Sequence, residues 1–148
     1  MNTVKTFFLM MVMSALLLLV GAMLGGFPGV IFAMVLAIVM NFSAYWFSDK
    51  IALGMAHAHP VTEQDDLELF RIVAEQASLA GLPMPRLYRI ESDSPNAFAT
   101  GRNPSHATLA ATTGIIHILN REELGAVFAH EMAHVGNRDT LIMGVVAT

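Results

Sequence analysis

Two histidines four residues apart, His130 and His134, with Glu131 directly after the first, are the side chains best spaced to do chemistry together. On a helix four residues make about one turn, so both imidazoles share a face, roughly 6 Å apart. At that spacing both reach a single Zn2+ at about 2.0–2.1 Å each. Glu131 points about 100° around the helix from His130. That direction suits it poorly as a ligand to the same ion and well as a general base towards a water on the ion. Zinc would lower the pKa of that water to about 7 and polarise a carbonyl. Glu131 would take the water's proton and deliver it to a leaving amine, and a peptide bond would be hydrolysed. The bland alternative, two packed or solvated helix histidines beside a surface glutamate, is the weaker reading because the helix around them is strongly marked.

Catalytic zinc sites usually have three protein ligands and an open position. Glu123 shares the histidine face but stands seven residues before His130, about 10 Å along the axis. Asp139, five residues past His134, would face elsewhere on a continuing helix. A metzincin pattern would need Gly at 137 and His at 140, where Asn137 and Thr140 stand. No third ligand is therefore visible. His57 and His59, beside a connector, read as solvated, and His106 and His117 as members of extended segments.

The elements that must position this pair are legible upstream. Asn120 is a good N-cap and Glu123 lies three residues on, a capping-box arrangement ahead of Leu124, Val127 and Phe128. Thr62 is the expected N-cap of an earlier helix carrying Leu67, Phe70, Val73, Ala74 and Ala77, stopped at Gly81. Between the two helices, Arg86 to Ile90, Asn96 to Thr100 and His106 to Thr112 are expected strands, with turns at residues 91–95, 101–104 and Thr113-Gly114.

The first third of the chain is different in kind. No charged residue stands between Lys5 and Asp49, a run of 43 residues. About 20 apolar residues cross a bilayer core as a helix, so the run holds two spans, about 6–24 and 30–47. They are broken at Gly25-Gly26-Phe27-Pro28-Gly29. Tyr45 and Trp46 suit an interfacial aromatic belt. A cleaved signal peptide fits less well, because a second apolar run follows at once. Lys5 and Lys50 flank the run and its middle has neither Lys nor Arg, which puts the region after Asp49 in the cytoplasm.

Composition excludes other classes. The 148 residues are 55% hydrophobic, which is too apolar for an ordinary soluble domain of this size. Cysteine is absent, so there is neither a disulfide framework nor a thiolate metal site. Eight scattered Lys and Arg against a net charge of -4 give no footprint for nucleic acid.

The stretch His130-Glu131-Met132-Ala133-His134-Val135-Gly136-Asn137-Arg138-Asp139 resembles the HExxHxxxRD signature of the HtpX membrane proteases, relatives of the CAAX prenyl proteases. The run Pro95 to Pro104 resembles a second block of that family, and two leading spans match its layout. The resemblance implies a zinc endopeptidase of the inner or plasma membrane, multi-pass and facing the cytoplasm. It would act on polypeptide substrates, membrane proteins among them, in quality control. It further implies that Asn96 and Ala97 lie on the strand that pairs with substrate, and that Asp139 orients a ligand histidine. The family's third ligand is a Glu on a later helix. The chain thus reads as α+β: a two-helix transmembrane hairpin over residues 1–48, then the N-terminal part of a zincin-like metalloprotease domain over 49–148. A third span would start near 141, and the sequence would be a fragment without its third ligand. Two other readings stay open, an intramembrane zinc protease and a non-catalytic membrane-anchored interaction protein. The charged start of the histidine helix weighs against the first.

Overall fold

A computed structural model describes residues 2–137. The chain is a mixture of helix and sheet, with one long apolar helix leading a small α+β unit. That helix, α1 (Asn2–Met55), contains the apolar stretch Phe7–Phe47. Helical geometry is interrupted at Gly26, whose φ of 54° and ψ of -140° are open to glycine and strained for other residues. Pro28 follows two positions later, where a helix starting again tolerates a missing N–H. The interruption is therefore narrower than the five-residue break expected from the Gly and Pro content, and helix continues past residue 48 to Met55.

Residues before and after Gly26 meet. Asn41 Nδ2 donates to Ser14 Oγ at 2.7 Å, and the Phe7 and Tyr45 rings stack with centroids 6.4 Å apart. At Gly21 and Gly29 backbone approaches backbone so closely that a Cβ on Gly29 would stand 2.1 Å from the Gly21 carbonyl oxygen. Most of α1's large apolar side chains, such as Phe8, Leu24 and Phe27, remain exposed.

After α1 come β1 (His59–Val61), α2 (Leu67–Leu79), β2 (Arg86–Ile90), β3 (Ala97–Thr100), a 3-10 turn at Pro104–His106, β4 (Thr108–Thr112), α3 (Thr113–Ile118) and α4 (Arg121–Asn137). The sheet order is β1-β2-β4-β3. β2 and β4 run parallel, and β1 and β3 pair antiparallel at the two edges. The fully buried strand β4 is central.

Several boundaries differ from the sequence expectation. Asp66, not Thr62, caps α2, with Leu69 N–H donating to Asp66 Oδ1 at 3.0 Å. Thr62 is used one turn earlier. Its hydroxyl and N–H donate to Asp65 Oδ2 at 2.6 and 2.8 Å. These bonds, the hydroxyl first, hold the Asp65 carboxyl below its ordinary pKa. The other Asp66 oxygen pairs with Arg89, tying the start of α2 to β2. β1 was not foreseen, since three residues of His-Pro-Val carry no alternation to read. Thr113-Gly114 opens α3 rather than a turn, because Thr112 Oγ1 accepts the Ile115 N–H and caps a helix there. His117 accordingly sits on a helix and His106 on the 3-10 turn.

The core lies between the sheet and the two longer helices. Leu69, Ile72 and Val73 of α2 meet Leu87, Leu109 and Ala111 of the sheet and Leu124, Phe128 and Val135 of α4. Phe128 is fully buried. Truncating such a ring costs about 3–5 kcal/mol, so Phe128→Ala should lower unfolding free energy by that amount in detergent denaturation. A cost below about 1 kcal/mol would mean that α4 is not anchored through this ring.

Candidate metal and peptide-binding site

The start of α4 is fixed by its own residues. Asn120 Oδ1 accepts the Glu122 and Glu123 N–H groups, each at 3.0 Å. Glu123 Oε2 in turn accepts the Asn120 N–H at 2.9 Å, so both halves of the capping box are made. Leu124, Phe128, Met132 and Val135 are buried along one face. Two residues along a helix is about 200° around it, so His130, two from both Phe128 and Met132, faces away from the core, as does His134, two past Met132. His130 is exposed, and Glu131 and His134 are half-buried.

The imidazoles converge. His130 Nε2 and His134 Nε2 stand 3.2 Å apart, with ring planes at 90°. Two nitrogens at about 2.05 Å from one ion in tetrahedral arrangement would be about 3.3 Å apart. The separation of the two nitrogens therefore matches two corners of a tetrahedral metal site. Without an ion the same distance suits one ring donating to the other. Among the described residues no group of three His, Cys, Asp or Glu assembles. Glu123 is occupied by capping, and Asp139 lies outside the described residues, as does the span expected near 141.

Glu131 is held by the sheet. Its Oε2 accepts the Ala99 N–H at 3.2 Å. Ala99 belongs to β3, an edge strand. Thr112 N–H donates to the Asn96 carbonyl at 2.9 Å, and Asn96 N–H donates to Thr112 Oγ1 at 2.9 Å. Backbone groups alternate in an antiparallel pair. Asn96, Phe98 and Thr100 thus turn theirs towards β4, and Ala97 and Ala99 turn theirs towards the free edge. Asn96 stands one residue before β3 with its backbone committed to Thr112, whereas Ala97 presents its N–H and C=O outward on the strand beside Glu131. Gly101, at φ 133°, ends the strand where a Cβ would stand 2.4 Å from the His106 carbonyl.

The structure thus brings His130, His134, Glu131 and the outer edge of β3 together, an edge on which no strand pairs among the described residues. It leaves His57, His59, His106 and His117 exposed and apart. Ala99 is the participant that the sequence reading missed. An outward backbone N–H has no side-chain signature, and its only trace is its position two residues beyond Ala97.

A model of peptidase family M48 matches residues 63–148. The chain is 52% identical over 147 residues to a Protease HtpX homolog of Ralstonia pickettii (strain 12J), covering 99% of this chain and 51% of the relative. It is also 52% identical to one of Desulfatibacillum aliphaticivorans, covering 99% and 47%, and 51% identical to one of Paraburkholderia phytofirmans, covering 99% and 52%. The chain spans about half the length of these curated relatives.

Binding to the folded state alone stabilises a protein, by about 2.7 kcal/mol at 100-fold the dissociation constant. Zn2+ at that excess should raise the unfolding midpoint of the chain in detergent, and either His130→Ala or His134→Ala should remove the increment. An unchanged increment in both variants would exclude the pair as the binding site.

Proposed function

Because the chain belongs to peptidase family M48, we propose that its protein is a membrane-bound, zinc-dependent endopeptidase. His130 and His134 hold the ion and Glu131 is the general base. The observation that carries this reading is the contact between Glu131 Oε2 and the Ala99 N–H. It joins the ligand helix to a strand edge, and a strand edge is what an extended peptide pairs with. A peptide lying along β3 through the backbone groups of Ala97 would run past the imidazole pair. Asn96, exposed just before the strand, would contact substrate through its side chain.

When bound, the ion supplies polarisation of the scissile carbonyl and acidification of water. The chain's own groups do the rest. Glu131 removes a proton from the attacking water at a carboxylate oxygen. As the C–N bond breaks, it gives that proton to the leaving nitrogen, so the products are a carboxylic acid and an amine. The Ala99 N–H holds the carboxylate against the strand. Asp139, outside the described residues, would have the role of orienting one ligand histidine, which metal sites commonly need. A third ligand has to come from outside the described residues.

The apolar stretch of α1 supports a bilayer location, read here as two spans, about 6–24 and 30–47, doubled back at Gly26. The Asn41–Ser14 bond and the Gly21–Gly29 approach favour that arrangement, and small residues allow such close packing in lipid. Lys5 and Lys50 favour a cytoplasmic face for the site. A protease on that face, tethered to the bilayer, suits substrates that are themselves membrane proteins, as in quality control of that membrane.

Protein expressed from its complete reading frame and reconstituted in liposomes should cleave an unfolded polypeptide. Glu131→Gln should lower turnover by about 10²–10⁴-fold while bound zinc stays at the wild-type level, and His130→Ala should lose both. Full activity in Glu131→Gln would overturn the assignment.

A further inference from the structure

A second site does not include His130 or His134 and lies where the end of α1 meets the start of β2 and the segment after β3. It is a cavity of about 520 Å³ lined by Tyr45, Trp46, Asp49, Lys50, Arg86 and Arg102, among others. Its charge is unlike the rest of the chain. Three of the eight Lys and Arg line it against one carboxylate, in a sequence whose net charge is -4. Arg86 is partly neutralised by Asp49, at 2.5 Å. Among the described residues Lys50 and Arg102 have no carboxylate within ion-pair reach.

The Arg102 guanidinium carbon lies over the Trp46 ring, 4.6 Å from its centroid. The ring attracts the cation, and a guanidinium presents its N–H groups in the fork geometry that matches a phosphate oxygen pair. Lys50 adds a point charge to the same wall. The cavity therefore offers a guanidinium fork, an ammonium 5.6 Å from the centroid of the Phe47 ring and net positive charge, a donor set for a phosphate oxyanion.

The location selects among phosphate carriers. Tyr45 and Trp46 close the apolar stretch Phe7–Phe47, at the height where aromatic side chains meet lipid headgroups. Phosphodiesters are the abundant anions of that layer, and cytoplasmic leaflets rich in anionic lipid attract basic residues placed beside a span. We infer that the cavity between the end of α1 and the 101–107 segment binds the phosphodiester headgroup of an anionic phospholipid. This rests on the reading of α1 as membrane-spanning. A lipid held there would bridge span and site domain at the strand that ends on Gly101, next to the edge proposed to take substrate.

Trp46 is the only tryptophan in the sequence and reports directly on the cavity. The chain in neutral detergent would be titrated with dihexanoyl phosphatidylglycerol, dihexanoyl phosphatidylcholine and inorganic phosphate, following Trp46 emission. The expected result is a saturable change with phosphatidylglycerol, with weaker apparent affinity for the zwitterionic lipid and for free phosphate. Lys50→Gln, which breaks no ion pair, should weaken phosphatidylglycerol binding about fivefold, and adding Arg102→Gln should weaken it about fivefold again. An equal response to inorganic phosphate, or an unchanged affinity in both variants, would overturn the inference. Resistance of the chain to alkaline extraction from membranes is measured in parallel. Retained extraction resistance without saturable lipid binding defeats the cavity alone, whereas loss of extraction resistance defeats the membrane reading beneath it.

Discussion

The rotation of α4 about its own axis is the constraint on which the site depends. Phe128 and Met132 are fully buried and Leu124 and Val135 nearly so. Those four positions settle which face meets the core, and the opposite face then has no choice. It carries His130 and His134 outward with their Nε2 atoms 3.2 Å apart, and it turns Glu131 to the Ala99 amide. The reciprocal cap between Asn120 and Glu123 fixes where this helix begins. Packing sets its rotation, and the two together set the position of every chemical group.

The sheet supplies the second half of the arrangement. β4 is buried and central, so β3 is left as an edge, and the alternation of antiparallel pairing turns Ala97 and Ala99 outward. An unpaired edge is ordinarily a liability for aggregation. Here one of its N–H groups is already taken by a carboxylate from the histidine helix, and a pairing peptide would satisfy others. The ion pairs Arg86–Asp49 and Arg89–Asp66 connect β2 to the end of α1 and to the start of α2. The sheet is thereby tied to the apolar helix as well as to its own core.

What could be read from sequence was local. The His-Glu-x-x-His spacing, the capping box and the glycine at the interruption of α1 each act within a few residues of themselves, and all three are visible by eye. The Thr62 cap failed because two good capping residues, Thr62 and Asp66, stand four apart. The choice between them depends on Asp66 also reaching Arg89 on a strand 23 residues away. β1 and α3 were missed for a related reason. A three-residue strand exists only because β2 is beside it, and α3 exists because Thr112 serves as both strand end and cap. The order of strands in the sheet, and with it the Ala99 contact, is non-local and left no mark in the residue pattern, whereas the edge position of the strand after Pro95 was reached only through the resemblance of the Pro95 to Pro104 block.

All the chemistry proposed for this site requires one metal ion between the imidazoles of His130 and His134. X-ray absorption at the zinc edge of the metal-loaded protein tests it most directly. Two imidazole nitrogens are expected at about 2.0–2.1 Å, one of them lost in each single His→Ala variant and both kept in Glu131→Gln. A first shell of oxygen alone, or an imidazole signal untouched by His130→Ala and His134→Ala, would contradict it.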